Sequence, residues 1–401
     1  MRLRLGSVIA LSLFSAVACG GPEDKDDATE LVLWHAYRGA EAEALNASIQ
    51  SFRAENPALS VRAVSIPYDA FANKLRVSVP RGNGPDVFIF AHDQIGDWAR
   101  ANLIEPLDTW ATVSLLERFF ARTLDAFVFD DALYGLPLAF KTLALFYDTK
   151  LVSAPAKTTN ALIRQCQTIR RNDPTHWGLG YEVDSLYFHA PWLHGFGGRI
   201  FDGKGALKLD SQAMEASINF VRRLLTVEKI MPEEATSALV TSLFKQNKLA
   251  YVISGPWFLG ELRGQSSWGV TALPTVSETG LAAQPYLGVE GVLMSARSRQ
   301  KAKAFRLMRF LTRDRQALVR WKVAQQLVAN AAVFQREEVS SNPVARAFKA
   351  QLATTLPLSN QPIMKRVWTP MKRALTQGIV RGVSPKKALD DANIAVRRFD
   401  K

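Results

Sequence analysis

The chain has 401 residues, 48% of them apolar and 22% charged, which is a globular composition and excludes a disordered chain. That length accommodates two packed domains, and two cysteines exclude a disulfide framework. The formal charge of +13 raises nucleic acid or a membrane as partner, but the basic residues are spread along the chain, many on helical stretches such as Arg297–Arg315. With no compact module of alternating aromatic and basic residues, nucleic acid is not expected, and the charge reads as a solvated surface.

Arg2 and Arg4 precede an apolar run, Leu5–Val17, too short to span a bilayer. It ends in the small residues Ala16-Val17-Ala18 before Cys19. Residues 1–19 are therefore expected to be a lipoprotein-type export signal, with Cys19 acylated, although Ala16 stands where such sites usually carry leucine. An ordinary secretory signal that happens to contain a cysteine is the alternative. Residues 20–30, with Gly21-Pro22-Glu23-Asp24-Lys25-Asp26-Asp27, read as a flexible polar tether.

Leu31–Trp34 is a continuous apolar run, as in a strand buried on both faces. Leu45, Ile49 and Phe52 fall at helical spacing in Glu41–Glu55, which Asn56-Pro57 stops. Val61–Ile66 predicts a strand, Tyr68–Val79 a helix with Phe71 and Leu75 inward, and Asp86–Ala91 a third strand. This alternation means a parallel α/β sheet, with ligand expected past the carboxyl ends of its strands, at His35–Arg38 and Phe90–Gln94.

A second lobe follows. Strands are expected at Leu143–Tyr147, Gly178–Tyr181 and Leu249–Ile253, with helices at Ala161–Arg170 and Met214–Val227. The strand at Tyr286–Ser295 precedes helices at Gln300–Leu311 and Asp314–Ala329. The C-terminus is expected to carry helix Lys365–Ile379 and a last helix capped by Ser384, with Leu389, Ala392, Val396 and Phe399 inward.

Gly84–Asp93 and Phe244–Trp257 resemble, nearly residue for residue, the corresponding segments of the maltose- and maltodextrin-binding proteins of bacterial ABC importers, in extracellular solute-binding protein family 1. Trp34–Gly39, Leu136–Leu151, Tyr187–Gly198 and Trp368 follow in the same order. The resemblance implies a two-lobed α/β fold of the type II periplasmic-binding class, each lobe a mainly parallel sheet flanked by helices, with the ligand cleft between lobes. It implies an N-terminal lobe of 31–140 plus 286–333 and a C-terminal lobe of 141–285 plus 334–401. It also implies a monomer, exported and anchored, that closes like a hinge on a carbohydrate and delivers it to membrane permease subunits. No cofactor and no catalysis are implied.

Sugars are bound by aromatic faces and by groups that donate to or accept from hydroxyls. By the resemblance Trp257, Trp368 and Tyr187 match stacking positions, with lobe-core packing the alternative for Trp368. Phe90 replaces a tryptophan there. Asp93 matches a hydroxyl-accepting carboxylate and could also cap a helix at Gln94–Arg100. Gln94 and Lys141 stand for an arginine and a glutamate, and Lys372 for an arginine. His35, Tyr37 and Arg38 border the cleft without the family's acid and lysine, His35 serving ligand or structure. Together Arg38, Lys141 and Lys372 leave open an anionic or phosphorylated sugar-like ligand.

His92 is expected to support its loop. His189 and His194 flank Pro191 at neither helix nor strand spacing, so no metal site is expected. Cys166 reads as a buried small hydrophobe. A glycoside hydrolase would need a second carboxylate opposite Asp93, and none is evident. A protein that only reports ligand to a receptor remains the other alternative.

Overall fold

The structure, a computed structural model, describes residues 29–398. The export signal, Cys19, residues 20–28 of the tether and Phe399 lie outside the described residues, whereas Thr29 and Glu30, expected in the tether, already pair in the first strand. Two sheets form the frame. In the larger, strand Thr29–His35 lies between the parallel strands Leu59–Ser65 and Val87–Ala91. The apolar runs of Leu31–Trp34 and Val87–Phe90 are buried there on both faces, as parallel strands under helices must be. Helix Gly39–Glu55 packs on it through Leu45, Ile49 and Phe52, and helix Tyr68–Ser78 through Phe71 and Leu75.

Strand Tyr286–Met294 joins this sheet antiparallel to Val87–Ala91, and Gly135–Lys141 pairs antiparallel on its other side. The smaller sheet has the order Trp268–Thr271, Ala144–Asp148, Leu249–Ser254, Trp177–Gly180, and only its last pairing is parallel. Both sheets are thus mixed. Thr29–His35, Leu59–Ser65 and Val87–Ala91 are parallel because helices join them, whereas Tyr286–Met294 enters antiparallel after the chain has returned from the smaller sheet. With helices on their faces, the two sheets make a two-lobed α/β fold with two apolar cores.

The strand Tyr286–Met294 changes neighbour along its length. Tyr286 and Leu287 pair with Leu356 and Pro357, and from Glu290 onward the partner is Ala91–Val87. His92 fills the gap. Its Nδ1 accepts the Val289 N–H at 3.1 Å, and its Nε2 lies 2.8 Å from the Leu358 carbonyl, to which it donates. Close by, Thr142 Oγ1 donates to the Tyr286 carbonyl at 2.9 Å. The expectation that His92 supports its loop holds, and the ring also ties two chain crossings together.

Three local expectations need correction, at Ala329, Ile379 and Ser384. The helix expected to reach Ala329 ends at Ala324, because Gln325 adopts the left-handed conformation and turns the chain back. Leu327 then accepts from the Phe140 N–H. The segment around Pro191 is helical, Leu186–Gly195, with the proline inside it. His189 and His194 are buried on it, bonded to Ser217 Oγ at 2.8 Å and the Gln284 carbonyl at 2.6 Å. Helix Met364–Leu375 stops short of Ile379 and passes into a wider π turn, Thr376–Val380. Ser384 precedes the last helix but its side chain makes no cap bond, unlike Thr158, Ser211 and Asn342 in front of theirs. Cys166 is buried, as expected, against Gly178.

Burial holds His189 and His194 down to about 3, and lowers His92 as well. The unfolded chain therefore binds more protons than the folded one below the ordinary value of 6.5, and stability must fall as pH drops through that value. We expect the urea midpoint to decline from neutral pH to about pH 5, each such histidine contributing up to about 1.4 kcal/mol per pH unit. His189→Gln should flatten that decline. An unchanged slope in the variant would show that this ring is not held neutral.

Candidate functional site

The carboxyl ends of the parallel strands in the larger sheet carry His35–Arg38 and Ala91–Gln94, and the structure brings both to one place. His35 is buried, and its Nδ1 accepts the Tyr37 N–H at 3.2 Å; burial lowers its pKa. Tyr37 is also buried, with its hydroxyl among Glu290, Arg320, Gln326 and Glu41, and burial raises the phenol well above its ordinary value. Neither ring offers an open face, so both stand behind the surface rather than on it. Arg38 is exposed at the start of its helix.

Phe90 is 4% exposed and stacks on both Tyr68, at 4.8 Å, and Phe71, at 4.6 Å. As a stacking face for ligand it is therefore displaced: the ring is core, and Tyr68, 51% exposed, presents the aromatic surface above it. Partial burial, with the charges of Asp93 and Glu290 behind it, pushes the Tyr68 phenol up to about 12. Asp93 caps no helix, since Gln94 occupies the N-cap of Ile95–Arg100 and no side chain bonds there. Instead Asp93 Oδ2 accepts from Gln94 Nε2 at 3.0 Å, while its Oδ1 is buried without a partner among the described residues. An acceptor left open in this way is suited to a hydroxyl donor.

Lys141 ends its strand 3.7 Å from Glu290. Burial raises the Glu290 pKa and Lys141 pulls against that rise. The register of Gly135–Lys141 against Tyr286–Met294 shifts between Glu290 and Gly291. Such irregularities commonly re-aim a side chain beside a site. A cavity of about 590 Å³ opens here, with Glu41, Lys141 and Gln326 on one side and Trp257, Arg263 and Val344 on the other. Gln326 Nε2 donates to Glu41 Oε1 at 3.1 Å.

Trp257 follows the turn after strand Leu249–Ser254 and is 48% exposed. Its ring lies over Gly255, where a Cβ would come within 2.1 Å of it, so glycine is required beneath. Tyr187 stands 6.2 Å from Trp257 and 6.3 Å from Tyr286, continuing the aromatic surface. Trp368 and Lys372 line a separate cavity of about 600 Å³ with Glu182, Gln377 and Arg381. Trp368 is half-buried against the smaller lobe's core, and Lys372 lies 3.7 Å from Asp184.

Four residues here escaped the sequence reading: Glu41, Tyr68, Glu290 and Gln326. Glu290 did leave a signal, a carboxylate inside an otherwise apolar strand. Gln326 left none, because its position depends on the left-handed turn at Gln325. Glu41 and Glu290 supply carboxylate acceptors beside Gln326 and Lys141.

Residues 38–318 match the family described as bacterial extracellular solute-binding protein. The maltotriose-binding protein of Pyrococcus abyssi is 26% identical over 87% of this chain and 77% of its own length. The galactooligosaccharide-binding protein of Bacillus subtilis is 27% identical over 97% of this chain and 94% of its own. Among solved structures, a cyclo/maltodextrin-binding protein complexed with maltotetraose superposes with a TM-score of 0.86, at 26% identity over 93% of this chain and 97% of that one. A Staphylococcus aureus extracellular solute-binding protein in complex with maltose gives 0.84, at 27% identity over 92% and 97%. With most of its length matched and the two-lobed fold shared, this chain belongs to the bacterial extracellular solute-binding protein family.

Proposed function

We propose that this protein is the lipid-anchored ligand-binding component of an ABC-type importer and closes its lobes on a neutral, maltodextrin-like oligosaccharide. The observation that carries the ligand class is charge balance. Lys141 and Lys372 each face a carboxylate at 3.7 Å, so neither is a lone cation awaiting an anion. Paired donors and acceptors beside the exposed faces of Trp257 and Tyr68 suit hydroxyls and sugar C–H surfaces. The names of the relatives support a sugar, and a streptococcal relative described as a maltooligosaccharide ABC transporter solute-binding lipoprotein, 23% identical, supports both importer and anchor. All of these are binding proteins, which favours capture over hydrolysis.

The lobes in this reading are 31–140 with 286–333 and 141–285 with 334–401, and ligand must touch both to stabilise closure. Tyr68, Asp93 and Glu290 would act from the first, Lys141 from the crossing between the two, and Tyr187, Trp257, Trp368 and Lys372 from the second. A thermal-shift and calorimetric screen over maltodextrins, galactooligosaccharides, sugar acids and sugar phosphates tests this. Neutral oligosaccharides should stabilise the protein with little salt dependence. Binding of anions alone, weakening as salt rises, would overturn the neutral assignment.

Two substitutions separate surface from core. Trp257→Ala should weaken oligosaccharide binding by about 1–3 kcal/mol, read by calorimetry, and leave the unliganded melting temperature nearly unchanged. Phe90→Ala should instead cost about 3–5 kcal/mol of folding stability in urea titration. The reverse pattern would exchange their roles.

Anchoring is tested in the native host. Wild-type protein is expected in the membrane fraction, and Cys19→Ala should release it or block its maturation. Equal membrane retention of the variant would place the anchor elsewhere.

A further inference from the structure

Eight of the nineteen residues 297–315 are basic and one, Asp314, is acidic, so this short stretch holds much of the chain's excess of 50 basic over 37 acidic residues. The charge is sorted by the fold. Helix Lys301–Leu311 buries Ala304, Phe305, Leu307, Met308, Phe310 and Leu311, which leaves its basic residues on the opposite face. Arg299, Arg306 and Arg309 are exposed, and among the described residues none of them forms an ion pair.

The position of this face is as telling as its charge. Gln300 Nε2 donates to the Glu30 carbonyl at 3.1 Å, at the start of the first strand. Lys301 pairs with Glu105 at 2.8 Å, and Glu105 in turn bonds the Met294 carbonyl at the far end of the crossing strand. Arg313 pairs at 2.6 Å with Glu55, the last residue of the helix that runs back from the cleft. All three contacts lie at the pole of the larger lobe opposite the carboxyl ends of its parallel strands. Glu30 and His35 are five residues apart along one strand, which is about 17 Å. The basic face therefore looks away from the ligand site, beside the point where the chain arrives from Cys19.

We infer that this face is a docking surface for anionic phospholipid headgroups, on which the anchored protein rests with its cleft turned toward solution. The inference rests on the lipid-anchor reading for its geometry: ten peptide steps from Cys19 to Thr29 reach at most about 35 Å, which holds Glu30 and the adjoining arginines near the bilayer. Charge complementarity supplies the attraction, at roughly a fivefold gain in membrane affinity per basic residue brought to an anionic surface. The contact screens with salt, so the protein can leave the surface to meet the permease while still tethered.

The test uses the full chain carrying Cys19→Ala, compared with the same chain also carrying Arg299→Glu, Arg306→Glu and Arg309→Glu. Co-sedimentation is measured with phosphatidylglycerol vesicles and with phosphatidylcholine vesicles. Because the N-terminal apolar segment is common to both proteins, its contribution cancels in the comparison. The parent is expected to sediment with phosphatidylglycerol, to be released by salt, and to prefer it strongly over phosphatidylcholine. The triple variant should lose at least tenfold in affinity for phosphatidylglycerol while keeping its circular dichroism and its response to maltotriose. Equal binding of parent and variant, or equal binding to both lipids, overturns the inference. So does a parent that prefers duplex DNA to phosphatidylglycerol. Host fractionation of Cys19→Ala reports on the anchor separately, so failure of the anchor is distinguishable from failure of the surface.

Discussion

The strand Tyr286–Met294 has to satisfy its backbone while its neighbours change beside it. Leu356–Pro357 pairs with its first residues and Val87–Ala91 with its last, and between them the Val289 N–H has no ladder partner on that side. A buried amide left open there would be costly. The His92 imidazole closes the gap by accepting from Val289 and donating to Leu358. That arrangement requires a neutral ring with its proton on Nε2, and burial favours the neutral form. Strand order, the crossing of the chain and the position of Glu290 all depend on this one junction.

The site is built outward from it. Glu290 opens the regular pairing with Ala91–Val87, and on the opposite side the register against Gly135–Lys141 shifts just after it, where its carboxylate lies beside Lys141. Tyr37 stands behind, its hydroxyl buried, so that the charged groups in front are held by a polar floor rather than by solvent alone. On the facing side Gly255 makes room for the Trp257 ring to lie flat and half-exposed. One wall of the cavity thus carries Glu41, Lys141 and Gln326 and the other the Trp257 ring beside Arg263, a mixture suited to a ligand with hydroxyl edges and apolar faces. The far pole of the same lobe carries a different chemistry, with arginines that form no ion pair among the described residues on a helix that is apolar where it meets the sheet.

Much of this was legible from residue order. Continuous apolar runs at Leu31–Trp34, Val87–Phe90 and Leu249–Ile253 are strands, and the helical spacing of Leu45, Ile49 and Phe52 marks a buried face. Those signals are local: burial on both faces or on one stripe leaves a period in the sequence that needs no partner to be read. Trp257 could be assigned to the surface because a Gly-Pro turn offers a ring nothing to pack under. The family could be recognised because whole blocks, not single residues, carry it.

Phe90 was misread for the opposite reason. Its position at a strand end was right, but whether its face is free depends on Tyr68, twenty-two residues earlier, lying down on it. Glu41 and Gln326 are 285 positions apart and meet only because Gln325 turns left-handed and sends the chain back toward the sheet. The sequence by itself determined the elements, the two-lobe frame, the family and the excess of positive charge. Tertiary structure alone decided which aromatic is exposed, which lysine is already paired and at which pole the arginines gather. Periodicity reports on a residue's own element, whereas exposure and pairing are set by distant segments that only the folded chain brings within reach.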